Sequence, residues 1–292
     1  MFTLPKPNDR FEWVQAAAGP ALVCRPLEGL ATHLFTTREW PLGSSRDAWD
    51  DVARAVDVPL DRLIRARQVH GADVVVHRRG GTFTPLADTA RPAADILMTD
   101  DRSCAAAIQT ADCVALLIAD SRTGAIAAAH AGWRGLAARV PAVAVERLGC
   151  EFGSRSADLV VAIGPAIGAC CYQVGDDVRA RFESAGFSPT DLARWFSAEP
   201  AAPPGNPPMS SVTTAREVDR WFFDTWRSTR DQLEAAGVPS DQIFTAELCT
   251  ASHASAFCSY RRDGPPAGRI AAAIRSSPRR PSPRSPGDLR AD

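Results

Sequence analysis

Residues 110–135 read TADCVALLIADSRTGAIAAAHAGWRG. CVALLIAD and GAIAAAH are apolar runs separated by a polar SRT turn that Gly124 closes, the pattern of two buried strands joined as an antiparallel hairpin. A turn centred between Ser121 and Arg122 puts Cys113 directly opposite His130. Opposed residues hold their Cβ atoms about 4.5–5.5 Å apart, so a thiolate and an imidazole could share one ion. A one-residue slip would turn one of the two to the other face. His130, Gly132, Trp133 and Arg134 then follow within five positions. Such polar groups are costly to bury without partners, so this strand ends at a surface or at a site.

Upstream, ALVCRPLEGLATHLFTTR alternates like two strands, and DAWDDVARAVDVPLDRL fits a short amphipathic helix ending near Pro59. RLIRARQV and ADVVVHRR read as a strand pair with His70 and Gly71 at the tight turn between them. Downstream, an alanine-rich helix is expected from Gly135 to about Leu148, with Pro141 inside it or at a break, and DLVVAIGP reads as a buried strand. GACCYQVGDDVRARFESAG is a loop entering a helix, and EPAAPPGNPPMSS (199–211) is a proline-rich surface loop. VDRWFFDTWRSTRDQLEAAGV carries a 3.6-residue apolar period stopped by Gly237. IFTAELCT is the last clear strand, and SSPRRPSPRSPGDLRAD is expected to be a disordered tail. No repeat or composition break divides the chain, so residues 1–275 are expected to form a single domain, with 276–292 as the tail.

Composition narrows the function classes. The 292 residues carry 33 basic and 34 acidic side chains, a balance that draws the chain neither to nucleic acid nor to an anionic membrane. Lys6 is the only lysine, which removes Walker P-loop and Schiff-base chemistry. There is no GxSxG, HExxH or strand-following GxGxxG. MFTLPKPNDRFEWVQ lacks the apolar core of a signal peptide and no stretch approaches a membrane span, so the cytoplasm is the expected location. The eight cysteines would there be reduced, the vicinal Cys170 and Cys171 included.

The histidines are at 33, 70, 77, 130 and 253. A catalytic zinc commonly takes three protein ligands and leaves one position open, and His70, Cys113 and His130 make a physically sensible set of that kind. Spacing alone does not establish it, because the gaps match no local zinc-finger pattern. Arg134 at a helix start could bind an anion such as phosphate, against the plainer reading of a surface arginine. Asp112 and Gln68 flank the ligands and could orient them or a substrate, or be turn and cap residues. Tyr172 and the RRD at 261–263, with Arg261 first, could line a pocket or an exposed loop.

RQVHGADVV (67–75), ADILMTD (94–100), TADCVALLIAD (110–120), AAHAGWRGLA (128–137), IGPAIGACCYQVG (163–175) and SYRRDG (259–264) together resemble the successive motifs of the YfiH-like family, also called the laccase-domain, polyphenol oxidase or purine nucleoside phosphorylase family. The resemblance runs from THLFTTR to about Ile274. It implies an α/β (α+β) sandwich with mixed sheets, related to the catalytic domain of cytotoxic necrotizing factors. It also implies a zinc ion on His70, Cys113 and His130, with copper as an alternative in vitro.

The implied activity is phosphorolysis of purine nucleosides such as adenosine, inosine and methylthioadenosine, with adenosine deamination alongside. Nucleoside and phosphate would be the small-molecule partners. Asp112, Arg134 and Gln68 are the catalytic candidates; Arg134, Tyr172 and Arg261 are the substrate-binding ones. EWPLGSS replaces the family's usual glycine-rich segment, and FCSYRRDG stands where FFSYRRDG is usual. The competing readings are a Cys113–His130 amidase editing peptidoglycan precursors, and a zinc-stabilised interaction protein. A four-copper oxidase would need clustered HxH pairs, which the sequence lacks.

Overall fold

The fold is described from a computed structural model, for residues 4–40, 42, 46–81, 90–201, 203–210 and 219–277. The chain begins with a meander, β1 (Phe11–Ala16), β2 (Gly19–Cys24) and β3 (Ala31–Thr36). Helix α1 (Arg46–Ala55) leads to the short β4 (Leu63–Ile64). The chain then crosses to a second sheet through β5 (Val74–His77) and β6 (Ile96–Thr99), returns for β7 (Ala105–Thr110), and crosses again into the hairpin β8 (Val114–Asp120) and β9 (Ile126–Ala131). Helices α2 (Trp133–Ala137) and α3 (Val140–Phe152) precede β10 (Leu159–Ile163). A three-stranded sheet of β11 (Gln173–Gly175), β12 (Phe196–Ser197) and β13 (Arg220–Phe223) brackets α4 (Asp176–Ser184) and α5 (Pro189–Trp195). Helix α6 (Thr225–Ala235), β14 (Ile243–Thr245), α7 (Tyr260–Asp263) and β15 (Ile270–Ser276) complete it.

The two large sheets run β1-β2-β3-β15-β7-β4 and β14-β10-β8-β9-β6-β5, and both mix parallel with antiparallel pairs. Side-chain alternation explains how they stack. In β8, Ala115, Leu117 and Ala119 pack with Leu22, Phe35, Ile108 and Ile274 of the first sheet. Val114, Leu116 and Ile118 face the other way, onto a layer built by α2, α3, α6 and the small sheet. On the far side, Ala105, Ala107, Ala271 and Ala273 pack against Trp49 and Val52 of α1 and Val56 just beyond it. The result is an α/β sandwich of four layers in which β8 and β9 are buried on both faces, hence their unbroken apolar runs. The alanines of β9 keep its outer face flat enough for α3 to lie directly on it.

Several sequence expectations need correction. The hairpin pairs Ala115 with His130 and Val114 with Ala131, which places Cys113 opposite Gly132, two residues from the expected register. The cause is Asp120, whose carboxylate accepts the N–H groups of Arg122 and Thr123 and the Thr123 hydroxyl, widening the turn to the four residues 121–124. Strands β4 and β5 are not a pair, because they belong to different sheets and His70 lies on the crossing between them. The alanine-rich helix begins at Trp133 and is broken at Arg139, which has a left-handed φ of 61°. The RWFF portion of the 3.6-residue segment is strand. IFTAELCT is followed by one more strand, β15, so Ser276 is still in the sheet. The proposed tail from 278 lies outside the described residues. No helix among the described residues is long and apolar enough to cross a membrane.

Candidate functional site

The chain passes between the two large sheets at the same end of the sandwich three times, and each crossing delivers part of one cleft. The β4–β5 crossing carries Gln68 and His70, the β7–β8 crossing carries Asp112 and Cys113, and the β14–β15 crossing carries Tyr260 and Arg261. His130 and Cys113 fall on the inter-sheet face of the hairpin, as diagonal rather than direct neighbours, because a two-residue shift preserves the face. The cleft has a volume of about 560 Å³ and is lined by every residue the sequence singled out: Gln68, His70, Asp112, Cys113, His130, Arg134, Tyr172 and Arg261.

The donor atoms of His70, Cys113 and His130 lie within 4.8 Å of one another. Cys113 Sγ is 3.9 Å from His70 Nε2, and the two imidazoles meet edge to face at 4.9 Å between centroids. Gly132 makes this convergence feasible, since a Cβ there would sit 2.9 Å from Cys113 Sγ and 3.0 Å from His70 Cδ2.

The residue that organises the set is Asp95, which sequence reasoning left inside the ADILMTD motif without a role. Its fully buried carboxylate bonds His130 Nδ1 at 2.8 Å and accepts the backbone N–H groups of Val69, His70 and Gly71 at 3.1, 3.0 and 2.7 Å. Those three amides hold His70 in a left-handed conformation, φ 61°. With Nδ1 engaged, His130 presents Nε2 to the cleft, the carboxylate–histidine arrangement that orients metal ligands. The sequence signal for Asp95 was a lone carboxylate at the head of an otherwise buried strand.

Electrostatics agree with the geometry. Burial alone would push the Cys113 thiol up, but the adjoining His130 and then His70 outweigh it and bring it down to about 6. Burial would likewise lower His130, yet the Cys113 sulfur and Asp95 raise it to about 9. Without a metal, the pair is therefore a thiolate beside an imidazolium. Two histidines and one thiolate clustered with a pre-set tautomer fit a metal ion with an open coordination position. His33 bonds Cys24 and Ala31, His77 pairs with Asp101, and His253 with Asn206, so the remaining histidines are committed elsewhere.

The candidates around the donors differ in what they do. Gln68 exchanges both ends of its amide with the backbone of Gln109, at 2.8 and 2.9 Å. It pins the His70 loop to β7, and these contacts are those of a positioning residue. Asp112, at φ 87° in the sharp crossing before Cys113, accepts the Thr250 hydroxyl and the Arg261 N–H at 2.6 Å each. Burial pushes its carboxyl up despite those bonds, and its contacts too are those of a positioning residue, tying Cys113 to α7. Arg134 is exposed, lies 4.2 Å over the Trp133 ring, and has no carboxylate partner among the described residues. Arg261 lies 5.1 Å over the Tyr172 ring and donates to Gln173 O at 2.6 Å. Two cations, each on an aromatic face, thus flank the donor set.

Comparison with known proteins gives this constellation its context. Residues 45–277 match the family described as multi-copper polyphenol oxidoreductase laccase, and the chain belongs to that family. It is 36% identical over 219 residues to purine nucleoside phosphorylase YlmD of Geobacillus stearothermophilus, covering 74% of this chain and 73% of that one. It is 37% identical over 180 residues to a purine nucleoside phosphorylase of Bacteroides thetaiotaomicron, covering 62% of this chain and 60% of that one, less than two thirds of the relative's length. It is 30% identical over 225 residues to adenosine deaminase RL5 of an unknown prokaryote, covering 76% and 78%. The crystal structure of the Bacillus licheniformis hypothetical protein YfiH superposes with a TM-score of 0.76 at 25% identity, over 91% of this chain and 99% of that one. The relatives named as enzymes support an enzymatic role, and the clustered donors support a metal in it.

Proposed function

We propose that the chain is a zinc-dependent purine nucleoside phosphorylase acting on adenosine, inosine and methylthioadenosine. The observation that carries this reading is the convergence, in one cleft, of a two-histidine, one-thiolate donor set with two arginines backed by aromatic rings. His70, Cys113 and His130 would hold the ion, which when bound supplies Lewis acidity beside the reacting carbon. Arg134 and Arg261 neutralise phosphate and aim one of its oxygens at the anomeric carbon of the ribose. The new C–O bond forms as the C–N bond to the purine breaks; the bonding pair leaves with the base, which takes up a proton. The Trp133 and Tyr172 rings hold those two guanidinium groups in the cleft. Deamination, in which water displaces ammonia from the purine ring, draws on the same cleft and has support from the relative named adenosine deaminase.

One specific observation favours a second reading. Cys113, His130 and Asp95 form a thiolate, imidazolium and carboxylate in series, the arrangement of a cysteine hydrolase when no metal claims the sulfur. An amidase acting on peptidoglycan precursors would use Cys113 as nucleophile and His130 as base.

Mass-spectrometric product analysis with adenosine, with and without phosphate, separates these. Adenine and ribose 1-phosphate, formed only with phosphate and lost in Cys113→Ala, are expected. Inosine would assign deamination. Untouched adenosine in both conditions would overturn the nucleoside reading and leave the hydrolase.

A further inference from the structure

Behind the cleft lies a second convergence of sulfur that the proposed chemistry does not use. Cys170, Cys171 and Cys249 are fully buried, and their three Sγ atoms lie within 4.8 Å of one another. They come from two loops that meet at an isolated bridge between Ala166 and Cys249. A buried cysteine is ordinarily core filler, but these three are surrounded by donors. The N–H of Gly168 points at Cys249 Sγ at 3.4 Å and that of Met209 at Cys171 Sγ at 3.3 Å. The Ser252 hydroxyl stands 3.6 Å from Cys170 Sγ and 3.5 Å from Cys171 Sγ. Asn206, itself buried, fixes the Cys249 backbone at 2.7 Å.

Two edges of the site have the length a tetrahedral ion requires, and the three sulfurs lie within reach of one another. Metal–sulfur bonds of about 2.3 Å and metal–oxygen bonds of about 2.0–2.2 Å give S···O edges of about 3.6 Å and S···S edges of about 3.8 Å. The two measured S···O distances fall on the first of these. We propose that Cys170, Cys171 and Cys249, with Ser252 at the fourth vertex, form a second metal site for a thiophilic d10 cation, zinc(II) or copper(I). Binding displaces the thiol protons to solvent, and the Gly168 and Met209 amides offset the charge left on sulfur. The site is closed, which suits a structural role. It would lock Tyr172 and Thr250, the immediate neighbours of Cys171 and Cys249, and through Thr250 the Asp112 crossing.

The test counts ions per chain by elemental mass spectrometry after dialysis against zinc(II), with a parallel anaerobic titration using copper(I). Two ions are expected in the unaltered protein, one in Cys113→Ala, one in Cys249→Ser and none in the double variant. Zinc and copper occupancies identify the ion the site prefers. Should Cys249→Ser fail to fold, the cobalt(II) form of Cys113→Ala decides, because every sulfur of the second site is untouched there. A strong thiolate-to-metal charge-transfer band supports the proposal. A single ion that vanishes in Cys113→Ala with no such band overturns it, as does a disulfide among the three cysteines in the alkylated protein.

Discussion

Asp95 does more at the site than its single negative charge suggests, since it sets the His130 tautomer and clamps the His70 loop together. Asn in its place would bring an NH₂ group against donors that need an acceptor, leaving buried N–H groups unmatched at about 1–3 kcal/mol each. Asp95→Asn is therefore expected to lower metal affinity by about 10–100-fold, read by competition with a chromophoric chelator. The Cys113–His130 pair makes a second prediction. Cys113 is held below its usual 9, so it contributes stability that is lost as pH falls through about 6; His130 is held above its usual 6.5, so its contribution is lost as pH rises through about 9. Between 6.5 and 9 the two slopes oppose, and the melting temperature of the metal-stripped protein should be nearly flat from this pair. Alkylation of Cys113 should instead rise through pH about 6, and a midpoint near 9 would refute the ion pair. The eight candidate side chains were picked out by residue chemistry together with the family motifs, and all eight line one cleft. Asp95 escaped because three of its four partners are backbone amides and the fourth, His130, lies 35 residues away on another strand, so the carboxylate at the head of β6 had no visible partner in the sequence.

At the level of elements, the β8–β9 hairpin was legible because two apolar runs flank a polar turn, and even its register error was harmless. Asp120 lengthened the turn, but a shift of two residues keeps Cys113 and His130 on one face. What could not be read were pairings between distant segments. Strands β4 and β5 look like hairpin arms yet part to opposite sheets, and β15, IAAAIRS, has too few large side chains to declare itself a strand. Its alanines are a packing requirement, facing Phe35 and its neighbours on one side and α1 on the other. The same tightness appears at Gly164, just past β10, where an added Cβ would lie 2.3 Å from Phe35 Cε1 across the sheets. Gly164→Ala should cost about 1–3 kcal/mol or more by overpacking, seen as a lowered denaturant midpoint.

Over the whole molecule, the first sheet is assembled from both ends of the described chain. Strand β15 sits in its middle, bonded to β3 on one side and β7 on the other. A chain ending at Arg269 would open the sheet along both ladders and uncover the apolar side chains that Ile270, Ala272 and Ile274 pack against, Phe35, Ile108 and Leu117 among them. It is expected to lose its cooperative thermal transition, and a sharp melt in circular dichroism would contradict that. The α/β sandwich with mixed sheets was legible only through the family resemblance, because alternation names faces but not their partners; its four layers emerge from the structure. The placement of β15 also bears on biosynthesis. A ribosome releases residues in order, so the meander, the donor residues and the helices all emerge before the strand that joins them. The sandwich can close only once β15 has cleared the exit tunnel, and until then the nascent chain carries an open slot between β3 and β7 that a chaperone or a neighbouring chain could fill.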